Sequence, residues 1–169
     1  YPTTVVRPFN AFGPRSHHEG DSGEVIPKFL LRALSGKPLI VHGDGEQTRD
    51  FTFVADTAAG IIACALSEKT IGETINLGSG AEVTVNALAE LVRKVTARNQ
   101  VTVEHGADRP GDVRRLIADI AKARRLIDFK TSVGLEAGLV KLLDWYRSLD
   151  VSAEQLLADE QPINWAAAR

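Results

Sequence analysis

Residues 3–15 read TTVVRPFNAFGPR, and no other stretch constrains the fold as strongly. Four β-branched residues run into Arg7, Pro8, an aromatic, an asparagine and a Gly-Pro turn. β-branched side chains suit a crowded pleated surface, so residues 3–6 are expected to form a buried strand. The loop that follows sets Phe9 and Asn10 at the strand's C-terminal edge. In open α/β sheets that edge is where ligands bind.

The rest of the chain alternates strand and helix patterns. Apolar residues recur at Val25, Ile26, Phe29, Leu30, Ala33 and Leu34, which is helical spacing. Pro27 fits such a helix in its first turn, and Gly36 suits its C-terminal cap. Before it, residues 16–22 are polar and read as an exposed loop, His17 and His18 included. A strand is expected at 38–41, a tight turn at Gly43-Asp44-Gly45 and an alternating strand at 49–53. Residues 54–66 predict a helix with Asp56 at its start and a buried Ala/Ile-rich middle. Residues 73–77 predict a strand ending in Gly78-Ser79-Gly80. Thr84 caps a helix reaching about 98, and a short strand follows at 101–104. DRPGD, at 108–112, is a loop. Helices are expected from Asp119 to about 127 and from 132 or 133 to 146. A last turn at 153–159 precedes a loose end. Short strands between amphipathic helices favour an α/β or α+β layer architecture.

Composition removes several functions. The 169 residues suffice for one real core. Net charge is −2, with no basic run longer than two residues, so nucleic acid is not an expected partner. No apolar stretch approaches the roughly 18 residues of a membrane span. The single cysteine, Cys64, sits in an apolar run, is expected to pack, and fits a cytoplasmic setting. The pattern starts on a strand and the chain contains no Met, so a piece of a longer protein is expected.

Some residues could carry chemistry. Asn10 offers both a carbonyl acceptor and an amide donor; it either holds its own loop or meets a polar sugar or phosphate. Arg49 follows the Gly-Asp-Gly turn. A guanidinium can grip phosphate through two parallel bonds, or pair with a nearby carboxylate. Arg109 and Asp112 flank Pro110-Gly111, an arrangement that lets both point one way. Gly78-Ser79-Gly80 follows a strand but lacks a complete G-x-G-x-x-G and reads as a turn. His17 and His18 are adjacent, and no HxxxH, CxxC or carboxylate cluster supports a metal.

Four stretches in order carry a resemblance: VVRPFNAFGPR, GEVIPKFLLRALSGKPLIVHGDGEQTRDFTFVAD, TINLGSG, and RPGDVRRLIADIAKARRLI. Together they resemble the C-terminal half of extended short-chain dehydrogenases/reductases of the NAD-dependent nucleotide-sugar epimerase/dehydratase family, over residues 3–149. The resemblance implies an α/β fold: the substrate-binding portion of an extended Rossmann-type enzyme, with a few strands of its parallel sheet. Residues 1–10 would end the NAD-binding half and 11–150 would bind the nucleotide sugar, with 51–80 packing back on the Rossmann sheet and 151–169 a tail. Pro8 and Phe9 would approach the nicotinamide of NAD. Asn10 would bind the sugar diphosphate, and Glu24, Val25 and Lys28 would lie against the nucleotide. Ile40 and His42 would flank the base, where family members often carry an aromatic in place of His42. Arg49 and Arg109 would hold the diphosphate, and Asp112 the ribose.

The family's glycine-rich NAD motif and its Y-x-x-x-K pair do not occur in this sequence: Val5 and Asp150 stand four residues after Tyr1 and Tyr146. No catalytic residue is therefore expected here, and the chain alone is expected to be inactive. The resemblance implies a UDP-glucose 4-epimerase-like enzyme acting through a 4-keto intermediate, homodimeric when complete. A 4,6-dehydratase is the alternative within the family. A non-catalytic nucleotide-sugar binding module is the alternative outside it.

Overall fold

A computed structural model describes residues 1–20 and 23–160. In chain order the elements are β1 (Val5–Pro8), β2 (Ala11–Phe12), α1 (Val25–Leu34), β3 (Leu39–His42), β4 (Thr48–Arg49), β5 (Thr52–Phe53) and α2 (Val54–Leu66). A 3-10 turn (Glu68–Thr70) leads to β6 (Thr74–Leu77), β7 (Val83–Thr84), α3 (Val85–Thr96), β8 (Val103–Gly106) and β9 (Arg115–Leu116). Then come α4 (Ala121–Ile127), α5 (Leu135–Arg147) and α6 (Ala153–Leu156). The pairs β1–β6, β2–β5, β3–β8 and β4–β9 are all parallel. Parallel neighbours require crossovers, which supports the expected α/β class.

The chain divides into two compact units: Tyr1–Gly13, Thr48–Val83 and Arg115–Gly138 in the first, Pro14–Gln47, Thr84–Arg114 and Leu139–Arg169 in the second. The first unit is built on β1 and β6, with α2 and α4 against them. Its core gathers Cys64, Ile75, Leu77, Ala123 and Phe129, with Val6, Leu126 and Ile127 at the margin. Cys64 is a packing residue, and burial pushes its thiol pKa up.

In the second unit α1 packs on α3, α6 and β3. Leu30, Leu31, Leu39, Val41, Leu88 and Val92 are fully buried, each worth about 1.5–3 kcal/mol of transfer free energy. Pro27 sits in the first turn of α1, and Gly36 (φ +68°) closes its other end. There Gly36 N–H donates to the Ala33 carbonyl and Lys37 N–H to the Arg32 carbonyl, a full Schellman pair. Thr84 caps α3 by accepting from Ala87 N–H.

Several expectations need correction. β1 lies two residues later than 3–6 and is largely exposed, with Val5 53 % accessible. The β-branched run selects a strand, but burial needs cover. Among the described residues β1 pairs only with β6. The expected strand 49–53 is two strands, β4 and β5, with different partners. In α2 the apolar middle is not buried throughout: Ile61, Ile62 and Leu66 are exposed. An apolar helix buries only the face that meets a neighbour, here β1, β5 and α4. A cavity of about 450 Å³ lies there, lined by Thr4, Val6, Ile61, Cys64 and Leu66 among others.

Asp56 does not cap α2. Its carboxylate accepts from Ser132 N–H (3.0 Å), Ser132 O–H (2.6 Å) and Val133 N–H (3.0 Å), tying the helix to the loop before α5. His18 is buried, not solvated; its ring meets Tyr146 edge-on at 6.1 Å. Residues 21–22 of the expected loop, and the loose end from 161 onward, lie outside the described residues. Glu160 itself pairs with Arg32.

Candidate functional site

The predicted site residues fall into clusters, each inside one unit. In the first unit Pro8 ends β1 opposite Leu77, and Phe9 N–H donates to the Leu77 carbonyl at 2.8 Å. Pro8 is exposed, and Phe9 and Asn10 are half-buried. Asn10 has φ +30°, a left-handed backbone that asparagine tolerates better than most residues. Its Nδ2 donates to the Asp50 carbonyl at 2.9 Å, and its own carbonyl accepts from Thr52 N–H at 3.2 Å. The loop-holding role of Asn10 is therefore real. The side chain still has an Oδ1 and a second N–H to offer a ligand.

Arg49, the last residue of β4, is half-buried and donates from Nη1 to the Thr48 carbonyl at 2.7 Å. The next residue, Asp50, is one the sequence reading did not single out. It is wholly buried. Its Oδ1 accepts from Ser79 N–H (2.8 Å) and Ser79 O–H (2.5 Å). Its Oδ2 accepts from Gly80 N–H (3.0 Å) and Ala118 N–H (3.1 Å). The Gly78-Ser79-Gly80 turn therefore holds this carboxylate, and its amides are spent there. A Cβ on Gly78 would stand 2.8 Å from Asp50 Oδ2, so the approach requires glycine. The legible signal was an acid immediately before the run FTF, where burial would force it to find donors.

In the second unit Ile40 and His42 share one face of β3, while Leu39 and Val41 fill the core from the other. Period-two alternation does this directly. Across the pair, Gly106 lies opposite His42. A Cβ there would come within 3.4 Å of His42 Nδ1 and 3.7 Å of Ile40 Cγ2. The bare glycine keeps this shelf shallow.

Glu24, Val25 and Lys28 lie at the start of α1, where Lys28 N–H donates to the Glu24 carbonyl. The Glu24 side chain reaches the surface, yet neighbouring atoms desolvate its carboxyl. That raises its pKa above the usual value, with His17 opposing. Arg109 and Asp112 stand on one exposed turn, closed by Asp112 N–H to the Arg109 carbonyl at 3.1 Å, with Gly111 at φ +75°. Nearby, Arg114 grips both oxygens of Asp44 at 2.7 and 2.8 Å. This bond holds the Asp44 carboxyl below the usual range. Among the described residues no group of three or more His, Cys, Asp or Glu could hold a metal ion. None of the described helices is long and apolar enough to cross a membrane.

Parallel strand pairs joined through helices define an α/β protein. The family model described as "GDP-mannose 4,6 dehydratase" matches residues 1–142. A UDP-N-acetyl-alpha-D-glucosaminuronate decarboxylase of Bacillus cytotoxicus is 35 % identical over 157 residues, covering 88 % of this chain and 47 % of that protein.

Among solved structures, an epimerase from Methanothermobacter thermautotrophicus superposes with a TM-score of 0.82 at 38 % identity, covering 86 % of this chain and 43 % of that one. A UDP-glucuronic acid 4-epimerase from Bacillus cereus, solved with UDP-glucuronic acid and NAD, gives 0.78 at 30 % identity, covering 85 % and 45 %. The chain belongs to the NAD-dependent nucleotide-sugar epimerase/dehydratase family. NAD is the cofactor of that family. The chain spans a little under half the length of these relatives.

Proposed function

We propose that this chain is the nucleotide-sugar binding portion of a 4-epimerase. The observation that carries the reading is the 38 % identity to an epimerase of known structure over 86 % of the chain. The local geometry supports it. Ile40 and His42 present one side of β3 to a base, and Glu24, Val25 and Lys28 share the start of α1 for the nucleotide. Arg109 and Asp112 share one turn for phosphate and ribose. Asn10 and Arg49 take the sugar diphosphate by charge-assisted and amide hydrogen bonds.

Pro8 and Phe9, at the open end of β1, suit the nicotinamide. Strand ends of this kind accept flat ligands, and neither residue is shut into the core. When bound, NAD supplies hydride acceptance and return. This chain's residues bind and orient the sugar, and proton transfer belongs to groups outside it. The exposed Val5, Ile61, Ile62 and Leu66 support the expectation that 51–80 pack back on a larger sheet, since so much apolar surface favours cover.

The test uses the complete gene product. Calorimetry against UDP-, dTDP- and GDP-sugars is expected to show binding, and NAD-dependent interconversion at the sugar C4 is expected with one of them. Arg49→Ala and Arg109→Ala are each expected to weaken binding by about 1.5–3 kcal/mol, the worth of a hydrogen bond to a charged group. Unchanged affinity in both variants overturns the assignment. Loss of water from the sugar, rather than epimerisation, would select the dehydratase that the family description names.

A further inference from the structure

Asp50 stands where the chain changes partners. Before it, β4 pairs with β9; after it, β5 pairs with β2. Its own N–H donates to the Leu116 carbonyl at 3.0 Å, finishing the β9 side. Its carbonyl accepts from the Asn10 side chain at 2.9 Å, on the β2 side. The strand break therefore makes the Asp50 carbonyl available to Asn10. The break is held by the carboxylate, which takes the four bonds from Ser79, Gly80 and Ala118 described above.

A buried carboxylate is an expensive way to fill space, because an apolar residue of similar volume needs no donors. It provides direction: four donors from two separate segments fix the peptide at 50 in one orientation. We propose that Asp50 is a positioning residue that sets Asn10 and Arg49 for the ligand diphosphate. The inference rests on the reading that those two side chains meet the nucleotide sugar. Pinning Nδ2 to the Asp50 carbonyl selects which edge of the Asn10 amide remains for the ligand. Arg49 is one bond away, and its backbone inherits the same constraint.

The experiment measures UDP-glucose affinity and thermal midpoint in the complete gene product. Ser79→Ala removes one donor and keeps its backbone N–H, so the fold is retained. It is expected to weaken binding about threefold, and Ser79→Thr, which keeps the hydroxyl, to restore it. Asp50→Asn puts an N–H₂ against backbone donors and is expected to weaken binding tenfold or more. If it does not fold, Ser79→Ala carries the decision. In an Asn10→Ala background the Ser79→Ala effect is expected to shrink, since one of the two side chains through which it acts is gone. A purely structural role would leave the effect the same size in both backgrounds. That result, or wild-type affinity in Ser79→Ala, overturns this inference alone. Wild-type affinity in Asn10→Ala and Arg49→Ala overturns the site reading and this inference with it.

Discussion

The Arg32 guanidinium donates to the Glu160 carboxylate at 2.6 Å, and the two side chains are only 13 % and 8 % exposed. Arg32 Nε also donates to the Pro38 carbonyl at 2.7 Å. One side chain thus ties α1 both to the residue before β3 and to Glu160, four residues beyond α6. Arg32→Met leaves a nearly buried carboxylate alone. Breaking such a pair costs about 3 kcal/mol, and thermal unfolding should register it as a drop of several degrees. Adding Glu160→Leu should recover most of the loss. An Arg32→Met protein as stable as the parent would show the pair contributes nothing.

Thr84→Ala removes the hydroxyl that accepts from Ala87 N–H at 3.1 Å. Loss of an N-cap of this kind costs about 1 kcal/mol, readable by urea denaturation. Thr84→Ser should retain the cap and lie within a few tenths of the parent. Equal losses in the two variants would mean that the threonine methyl, and not the cap, is what matters.

Tyr146 is buried, and its hydroxyl has no hydrogen-bond partner among the described residues. Burial raises its pKa well above the usual tyrosine value, with Glu19 and Glu24 adding to the shift. Tyr146→Phe removes a buried polar group left unsatisfied and should stabilise by about 1 kcal/mol at pH 7. The neutral phenol favours the folded state, so that contribution is intact below about pH 10 and fades above it as the unfolded chain ionises. The advantage of phenylalanine should therefore widen in alkali. Destabilisation at neutral pH would refute the unsatisfied hydroxyl.

Two carboxylates should respond to acid with opposite signs. Glu82 accepts from Arg115 and Thr48, and these bonds depress its pKa. Its stabilising contribution is present above the unfolded value of about 4.3 and is lost as pH falls through the lower folded one. Glu24 is raised by desolvation, so the folded state gains as pH falls through its raised value. Glu82→Gln should be less stable than the parent at pH 7 and Glu24→Gln more stable. The Glu24→Gln midpoint should converge on the parent as pH falls below the unfolded carboxyl value, and the Glu82→Gln midpoint only further into acid, below the depressed folded value. A Glu24→Gln loss at pH 7 would contradict the desolvation argument.

What could be read in advance was local. Helix α1 followed from apolar spacing with Pro27 and Gly36 at its ends, and α3 from Thr84. Ile40 and His42 were paired by the family resemblance; the strand expected at 38–41 stopped one residue short of His42, which β3 includes. What escaped depended on distant partners. The break at Asp50 is made by donors 29 to 68 residues away, so RDFTF looked like one strand. His18 is buried by Tyr146, far along the chain, so its polar neighbours suggested solvent. β9 is two residues long, and its pairing with β4, not its own composition, makes it a strand. The candidate site divides the same way. The residue types at 10, 49 and 109 were visible, whereas the carboxylate behind two of them was not.

The φ of +30° at Asn10 also limits how this position can change over evolutionary time. Only glycine, asparagine and aspartate enter that backbone region readily. Glycine would forfeit the side chain, and aspartate would set a negative charge beside the Asp50 carbonyl. The main chain has narrowed the choice to asparagine before any ligand exerts selection. A lineage that trades one sugar for another is therefore expected to vary the neighbouring positions and leave this one alone.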